Sequence, residues 1–176
     1  VGEPDADGNA PFDREALFDE APRFVTFNGH LGALTGDNTL AMNVGERARI
    51  YFVNEGLNLD SNFHAIGSHW DAVYPEGATH PSNRVIRGSQ STLVVAGGGT
   101  VVEVDALLPN TLLLVDHALV RTFYKGALAT IVISGEADPE IFGVLSAGDG
   151  ADDNAHDEDE DLTDVAEVTI PVGAFN

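Results

Sequence analysis

RARIYFV, residues 47–53, alternates as a half-buried strand does, and it decides how the rest of the chain is read. Side chains along a strand point to opposite faces in turn, so Ala48, Ile50 and Phe52 fall on one face. Outward from it, short β-rich runs recur at 24–26, 39–42, 92–95, 101–104, 111–115 and 129–133. Turn signals separate them: GDN at 36–38, AGGG at 96–99 and LPN at 108–110. Many short strands with regular turns predict an all-β antiparallel sandwich or barrel and not βαβ units.

The two ends differ from this middle. Residues 1–21 (VGEPDADGNAPFDREALFDEA) are acidic and broken by Pro4, Gly8 and Pro11. They read as an irregular lead-in with a helical turn or two at 14–20. Past Gly143 the composition shifts. Residues 146–164 (SAGDGADDNAHDEDEDLTD) are acidic and nearly devoid of apolar anchors. Such a segment buries too little surface to offset its ordering entropy, so 143–164 is expected to be a flexible linker. Residues 165–176 (VAEVTIPVGAFN) turn apolar again, as a strand docking on a neighbour or the start of a further domain would. No repeat of fixed period occurs. With no initiator Met and no signal-peptide pattern at Val1, the chain reads as a processed or excised piece.

The 176 residues suffice for one domain plus extensions, and 43% apolar residues are ample for a core. No apolar run reaches the length a membrane-spanning helix needs. Asp and Glu number 29 against 8 Lys and Arg, a net charge of −21. That excess repels phosphate backbones and argues against nucleic acid as a partner. The acids are spread through the middle of the chain as well as the tail. The pattern therefore favours a surface adapted to high salt, where self-repulsion is screened, over an acidic interaction tail on an ordinary domain.

Cysteine is absent. This excludes disulfides, thiolate zinc sites, iron–sulfur clusters and a blue-copper centre, which needs a Cys ligand. Of six histidines, two sit where chemistry is plausible. His117 follows the apolar run 112–115, at the expected exit of a strand, where the ladder behind it would hold a metal ligand rigidly. Asp116 beside it could orient it or accept its second N–H. The pattern by itself fits a half-buried histidine capping a strand better than it fits a ligand. His64, in SNFHAIGSHWD, has Phe63 and Ile66 near it, surroundings that suit an acid–base group tuned near neutral pH or a structural histidine. His64 and His69 lack a zinc spacing, with Gly67 between them arguing against a helix. His30 and His80 lie in turn-like stretches and are expected to be solvated, and His156 lies in the acidic tail. Gly97–Gly99 fails as a phosphate loop because no helix start or Lys follows it. Ser91, His64 and Asp116 do not make a triad, for no nucleophile elbow accompanies them.

Whole motifs add to this reading. FNGHLGALTGDNTL (27–40), VGE (44–46), SNFHAIG (61–67), QSTLVVAGGG (90–99), LLVDHALVRTFYKGA (113–127) and SGEADPEIF (134–142) follow one another in order. That succession resembles the second cupredoxin domain of copper-containing nitrite reductases, over residues 22–142, with 1–21 similar to the segment joining the family's two domains. The resemblance implies a cupredoxin-like Greek-key β-sandwich. It also implies a trimer of two-domain subunits in which a type 1 copper of the first domain passes an electron to a type 2 copper lying between subunits. There nitrite is reduced to nitric oxide.

Carried onto this chain, the histidine of the VDHA motif is the type 2 copper ligand His117, and that of FHxIG is the catalytic His64. Ile66 shapes the nitrite pocket, Leu119 falls where an apolar pocket residue is expected, and Ser91 matches a hydroxyl residue that hydrogen-bonds the catalytic histidine. The first domain, with the type 1 copper and the remaining type 2 ligands, is not in this sequence. It is expected on the same precursor or on a separate chain, in a homotrimer or a trimer of cleaved subunits. An electron-donor protein and a place outside the cytoplasmic membrane of a high-salt organism complete the expectation. The alternatives are a multicopper-oxidase-like domain, against which the lack of any His-x-His counts, and a metal-free structural cupredoxin domain.

Overall fold

Alternation of the RARIYFV kind builds two facing sheets in a computed structural model of the chain, in which residues 2–141 are described. The expectations for 143–164 and 165–176, and for His156, lie outside the described residues. The strands are β1 (Leu40–Asn43), β2 (Arg47–Val53), β3 (Ser61–Ile66), β4 (Ala72–Pro75), β5 (Ser91–Val94), β6 (Gly99–Asp105), β7 (Asn110–Asp116) and β8 (Leu128–Ser134). One sheet runs β1-β8-β7-β3-β5 and the other β2-β6-β4. Pairing is antiparallel throughout except for β1, which lies parallel to β8.

The inner faces meet in one core. Phe63, Ala65, Leu112, Leu114, Ala129 and Ile131 come from the larger sheet, Val73, Val102 and Val104 from the smaller. Ala48, Ile50 and Phe52 pack against it from β2, as the alternation predicts. Phe63 stacks between Phe52 and Trp70, with centroids 4.2 and 4.9 Å away. The fully buried Trp70 satisfies its one polar atom by donating its indole N–H to the Phe63 carbonyl at 3.1 Å. Removing a ring of this kind costs about 3–5 kcal/mol.

Two strands, β3 and β4, are not among the β-rich runs of the sequence. The inward residues of β3 are Ser61, Phe63 and Ala65, two of them small, because they lie under the large rings of the core. In the opposite sense, 24–26 forms no strand. Val25 N–H makes one bond to the Lys125 carbonyl (3.0 Å), and Phe27 turns edge-on to Phe52 and Phe63 as a plug. The helical turn expected at 14–20 is α1 (Arg14–Phe18), whose N-cap Asp13 accepts from Ala16 N–H. A second helix, α2 (Leu119–Lys125), follows β7 and stops at Gly126 in the left-handed region. Any Cβ there would clash with Leu31 Cδ2. Among the described residues no helix is long and apolar enough to cross a membrane.

One crossover positions the site. Single bridges tie Ile86 to Val73 and Ser89 to Trp70, along the edge of the smaller sheet. Two residues later Ser91 pairs with His64 in the larger sheet. The chain changes sheets at Gln90, directly before the residue that pairs with His64.

Candidate metal-ligand face

Strand parity puts Ser61, Phe63 and Ala65 into the core and leaves Asn62, His64 and Ile66 on the outer face of the larger sheet. Register places Val115 opposite His64 and Leu113 opposite Ile66 on β7. On the other side, Ser91 lies opposite His64 and Leu93 opposite Asn62 on β5. No Asp or Glu occurs at 61–70, 77–102 or 117–135, although the chain holds 29. A protein of charge −21 thus keeps this face clear of carboxylates.

His117 lies one residue past β7, its backbone N–H bonded to the Asn62 carbonyl at 2.8 Å. Its side chain is exposed and its ring meets that of His64, with centroids 5.1 Å apart and planes at 63°. The His64 ring is half-buried, and its Nδ1 lies against the Gln90 carbonyl. A carbonyl only accepts, so Nδ1 carries the hydrogen and Nε2 is left to exchange a proton. The structure therefore brings His64, Ile66, Ser91 and His117 to one face. Leu119, at the start of α2, is 42% exposed.

Two expected contacts are not formed. Asp116 does not accept from the His117 ring. Alternation turns it the other way, into the core, where it is 2% exposed and bound by Arg121 (Nε to Oδ2, 2.5 Å). Its Oδ1 also accepts from the N–H groups of Asn62 (3.3 Å) and Ala118 (3.2 Å). Nor does the Ser91 hydroxyl hold His64: the Gln90 carbonyl does so. Strand pairing puts Ser91 directly across from His64 in the ladder, and the carbonyl of the residue before it reaches the ring.

The other described histidines stay apart from this pair. His30 and His80 are exposed, as expected, with Nδ1 atoms on the Leu31 carbonyl (2.9 Å) and Ser82 Oγ (2.7 Å). His69 Nε2 is 3.5 Å from Asp71 Oδ1. Among the described residues no group of three or more His, Cys, Asp or Glu could by itself hold a metal ion. A groove of about 1000 Å³ between the lead-in and the core edge is lined by Phe24, Tyr51, Leu57 and Asp116 among others, with no histidine.

Sequence reading missed Gln90, Arg121 and a cluster on the outer face of the smaller sheet. There Glu103, 4% exposed, accepts from Arg49 Nε (2.8 Å), Arg47 Nη1 (3.5 Å) and Tyr74 O–H (3.4 Å). Arg47 Nη2 also donates to Asp105 at 2.6 Å and holds that carboxyl below its ordinary range. The only hint in the sequence is the pair of arginines at alternate positions of RARIYFV; their acidic partners become visible only with the β2–β6 register.

No protein-family model matches the chain. A copper-containing nitrite reductase from Neisseria meningitidis is 44% identical over 140 residues, which takes in 80% of this chain and 35% of that protein. Among solved structures, copper nitrite reductase from Nitrosomonas europaea superposes with a TM-score of 0.63 at 34% identity, covering 73% of this chain and 46% of that one. A Cu-containing nitrite reductase from Thermus scotoductus gives 0.63 at 28% identity, covering 73% and 29%. The fold is thus the expected all-β, cupredoxin-like Greek-key sandwich. The chain spans about a third of the length of the curated relatives it matches.

Proposed function

We propose that this chain is the second cupredoxin domain of a copper-containing nitrite reductase, with the domain proper at 22–142, and that it supplies part of a type 2 copper site shared across an interface. One observation carries the reading: His64 and His117 lie together on an acid-free outer face on which, among the described residues, no third ligand joins them. A pair of imidazoles so placed is half of something, and the absence of repelling charge around it suits both a covering partner and an approaching anion.

The residues fit copper of this kind. With no cysteine in the chain, a thiolate-bound type 1 site is closed to it and an imidazole site is open. His117 is the ligand, on a backbone locked to β3 and with its ring exposed. The remaining ligands come from a first cupredoxin domain, on the same precursor or another chain, within a trimer. The type 1 copper lies in that domain, and an electron-donor protein feeds it.

Nitrite reduction to nitric oxide and water takes one electron and two protons. The metal, when bound, supplies the electron and an open position for the anion. His64 handles protons: Nδ1 is fixed on the Gln90 carbonyl, which aims Nε2 at the open side, where it gives a proton to the departing oxygen. Ile66 and Leu119 form apolar walls that limit how nitrite sits and keep bulk water out. Ser91 acts through the backbone that holds His64. The multicopper-oxidase alternative lacks its His-x-His clusters, and the metal-free alternative leaves the paired histidines without a role.

The acid-rich exterior and the family's usual placement argue for an extracytoplasmic protein of a high-salt organism, which melting temperatures unchanged between low and molar salt would contradict. The reductase reading is tested on the native assembly, by counting copper and measuring nitrite-dependent nitric oxide release. Bound copper with turnover is expected. An assembly that holds no copper and leaves nitrite untouched would sink it.

A further inference from the structure

We infer that Arg121 is a positioning residue for the two histidines, joining the strands that carry them through one buried carboxylate. The inference rests on the reading of His117 as a copper ligand. Arg121 stands in α2 and its side chain is 20% exposed. It holds Asp116 by a fork, Nε to Oδ2 at 2.5 Å and Nη2 to Oδ1 at 3.2 Å. The same Nη2 donates to the Asp60 carbonyl at 2.8 Å, one residue before β3 begins. One guanidinium thus bridges the end of β7, which delivers His117, and the start of β3, which delivers His64.

Asp116 passes this grip to the backbone on either side of His117. Its Oδ1 takes the Ala118 N–H and the Asn62 N–H. Asn62 in turn accepts the His117 N–H through its carbonyl. The Asp116 carbonyl takes the Thr122 hydroxyl, and the Ala118 carbonyl takes the Arg121 N–H at 2.7 Å. The peptides around His117 are therefore tied down while its ring stays clear of Asp116.

Charge gives Arg121 its part. Asp116 is buried and has no other cation within bonding distance among the described residues. Without Arg121 the carboxylate would be driven to turn out to water, because an unpaired buried charge is costly. Turning out would free the Asn62 and Ala118 amides together and loosen the backbone that carries His117. A neutral imidazole held within a fraction of an ångström is what a metal site requires. Partners that orient a ligand in this way are typically worth about 10- to 100-fold in metal affinity.

The test uses the native assembly carrying Arg121→Gln, with copper affinity by chelator competition, the type 2 electron paramagnetic resonance signal and the melting temperature as readouts. A folded variant that binds copper about tenfold or more weakly, with a shifted signal, is expected. Unchanged affinity and signal would overturn the inference, as would copper loss that merely tracks the unfolded fraction. If Arg121→Gln does not fold, Arg121→Lys carries the test, since it keeps the charge paired but cannot fork Asp116 and reach Asp60 at once. There, weakened copper with a shifted signal supports the inference and wild-type behaviour overturns it. His117→Ala run alongside separates the two readings. Copper that survives His117→Ala removes the ligand assignment and this inference with it, whereas copper lost in His117→Ala but unchanged in the Arg121 variant overturns the inference alone.

Discussion

The two outer faces of the sandwich are built from the same kind of strand and treat charge in opposite ways. On the smaller sheet, Arg47, Arg49, Tyr74, Glu103 and Asp105 satisfy one another across β2, β6 and β4. That face is finished within this chain and fit to meet water. On the larger sheet the corresponding positions are Asn62, His64, Ile66, Ser91, Leu93, Leu113 and Val115, with no ion pair and no acid. Leu93 is 59% exposed there, and Phe123 and Tyr124 of the adjoining α2 are 56% and 84% exposed. Charge is placed where a face closes on itself and withheld where, on our reading, another polypeptide closes it.

The largest effect that would break or sharpen this contrast is on His64. His64→Gln is expected to lower nitrite turnover by about 100- to 10,000-fold, the usual worth of a general acid–base group, while copper content holds. Loss of copper instead would make His64 a ligand and not a proton carrier. On the other face, Glu103→Gln leaves two half-exposed arginines without their shared partner and is expected to cost about 1–3 kcal/mol in denaturant unfolding. Copper binding should not change; if it did, the two faces would not be independent.

A smaller effect is expected for Leu93→Glu, which puts a carboxylate on the acid-free face. Assembly should weaken by about tenfold or more, roughly 1.4 kcal/mol at least, because covering the face would bury an unpaired carboxylate, with the melting temperature of the separated chain unmoved. Sedimentation across a dilution series checks it, and undisturbed assembly would mean this face is not covered. The smallest effect concerns Asp105. Arg47 depresses its carboxyl, so its contribution is present above the unfolded value of about 3.9 and lost as pH falls through the lower folded value. Asp105→Asn should therefore lower stability slightly at neutral pH, flatten the acid limb below about pH 4, and converge with wild type in stronger acid. An identical acid limb would remove the pair from the account.

How far the sequence could be read follows the same division. RARIYFV announced its strand because its alternation involves residues of very different polarity. SNFHAI hid β3, since its inward positions include Ser61 and Ala65 and its outward ones Ile66. The resemblance singled out His64 and His117 one by one, but their approach to 5.1 Å depends on the β3–β7 register, which no local pattern encodes. Asp116 next to His117 suggested a direct partnership, and strand parity forbids it. Gln90 acts through a carbonyl that every residue possesses, so only the crossover between sheets reveals it. Arg121 carries no local signal in the sequence; its part depends on the fold, which brings Asp116 and Asp60 to it.

The claim at the centre is that this chain lends one imidazole to a copper it cannot hold alone. Copper per copy of this chain, with the type 2 paramagnetic signal, should be measured on the native assembly for wild type and for His117→Ala. The account predicts that the variant keeps its fold, because His117 is exposed and its backbone ties do not involve the ring, and loses the type 2 copper. A folded His117→Ala assembly that retains this copper and its signal would contradict it.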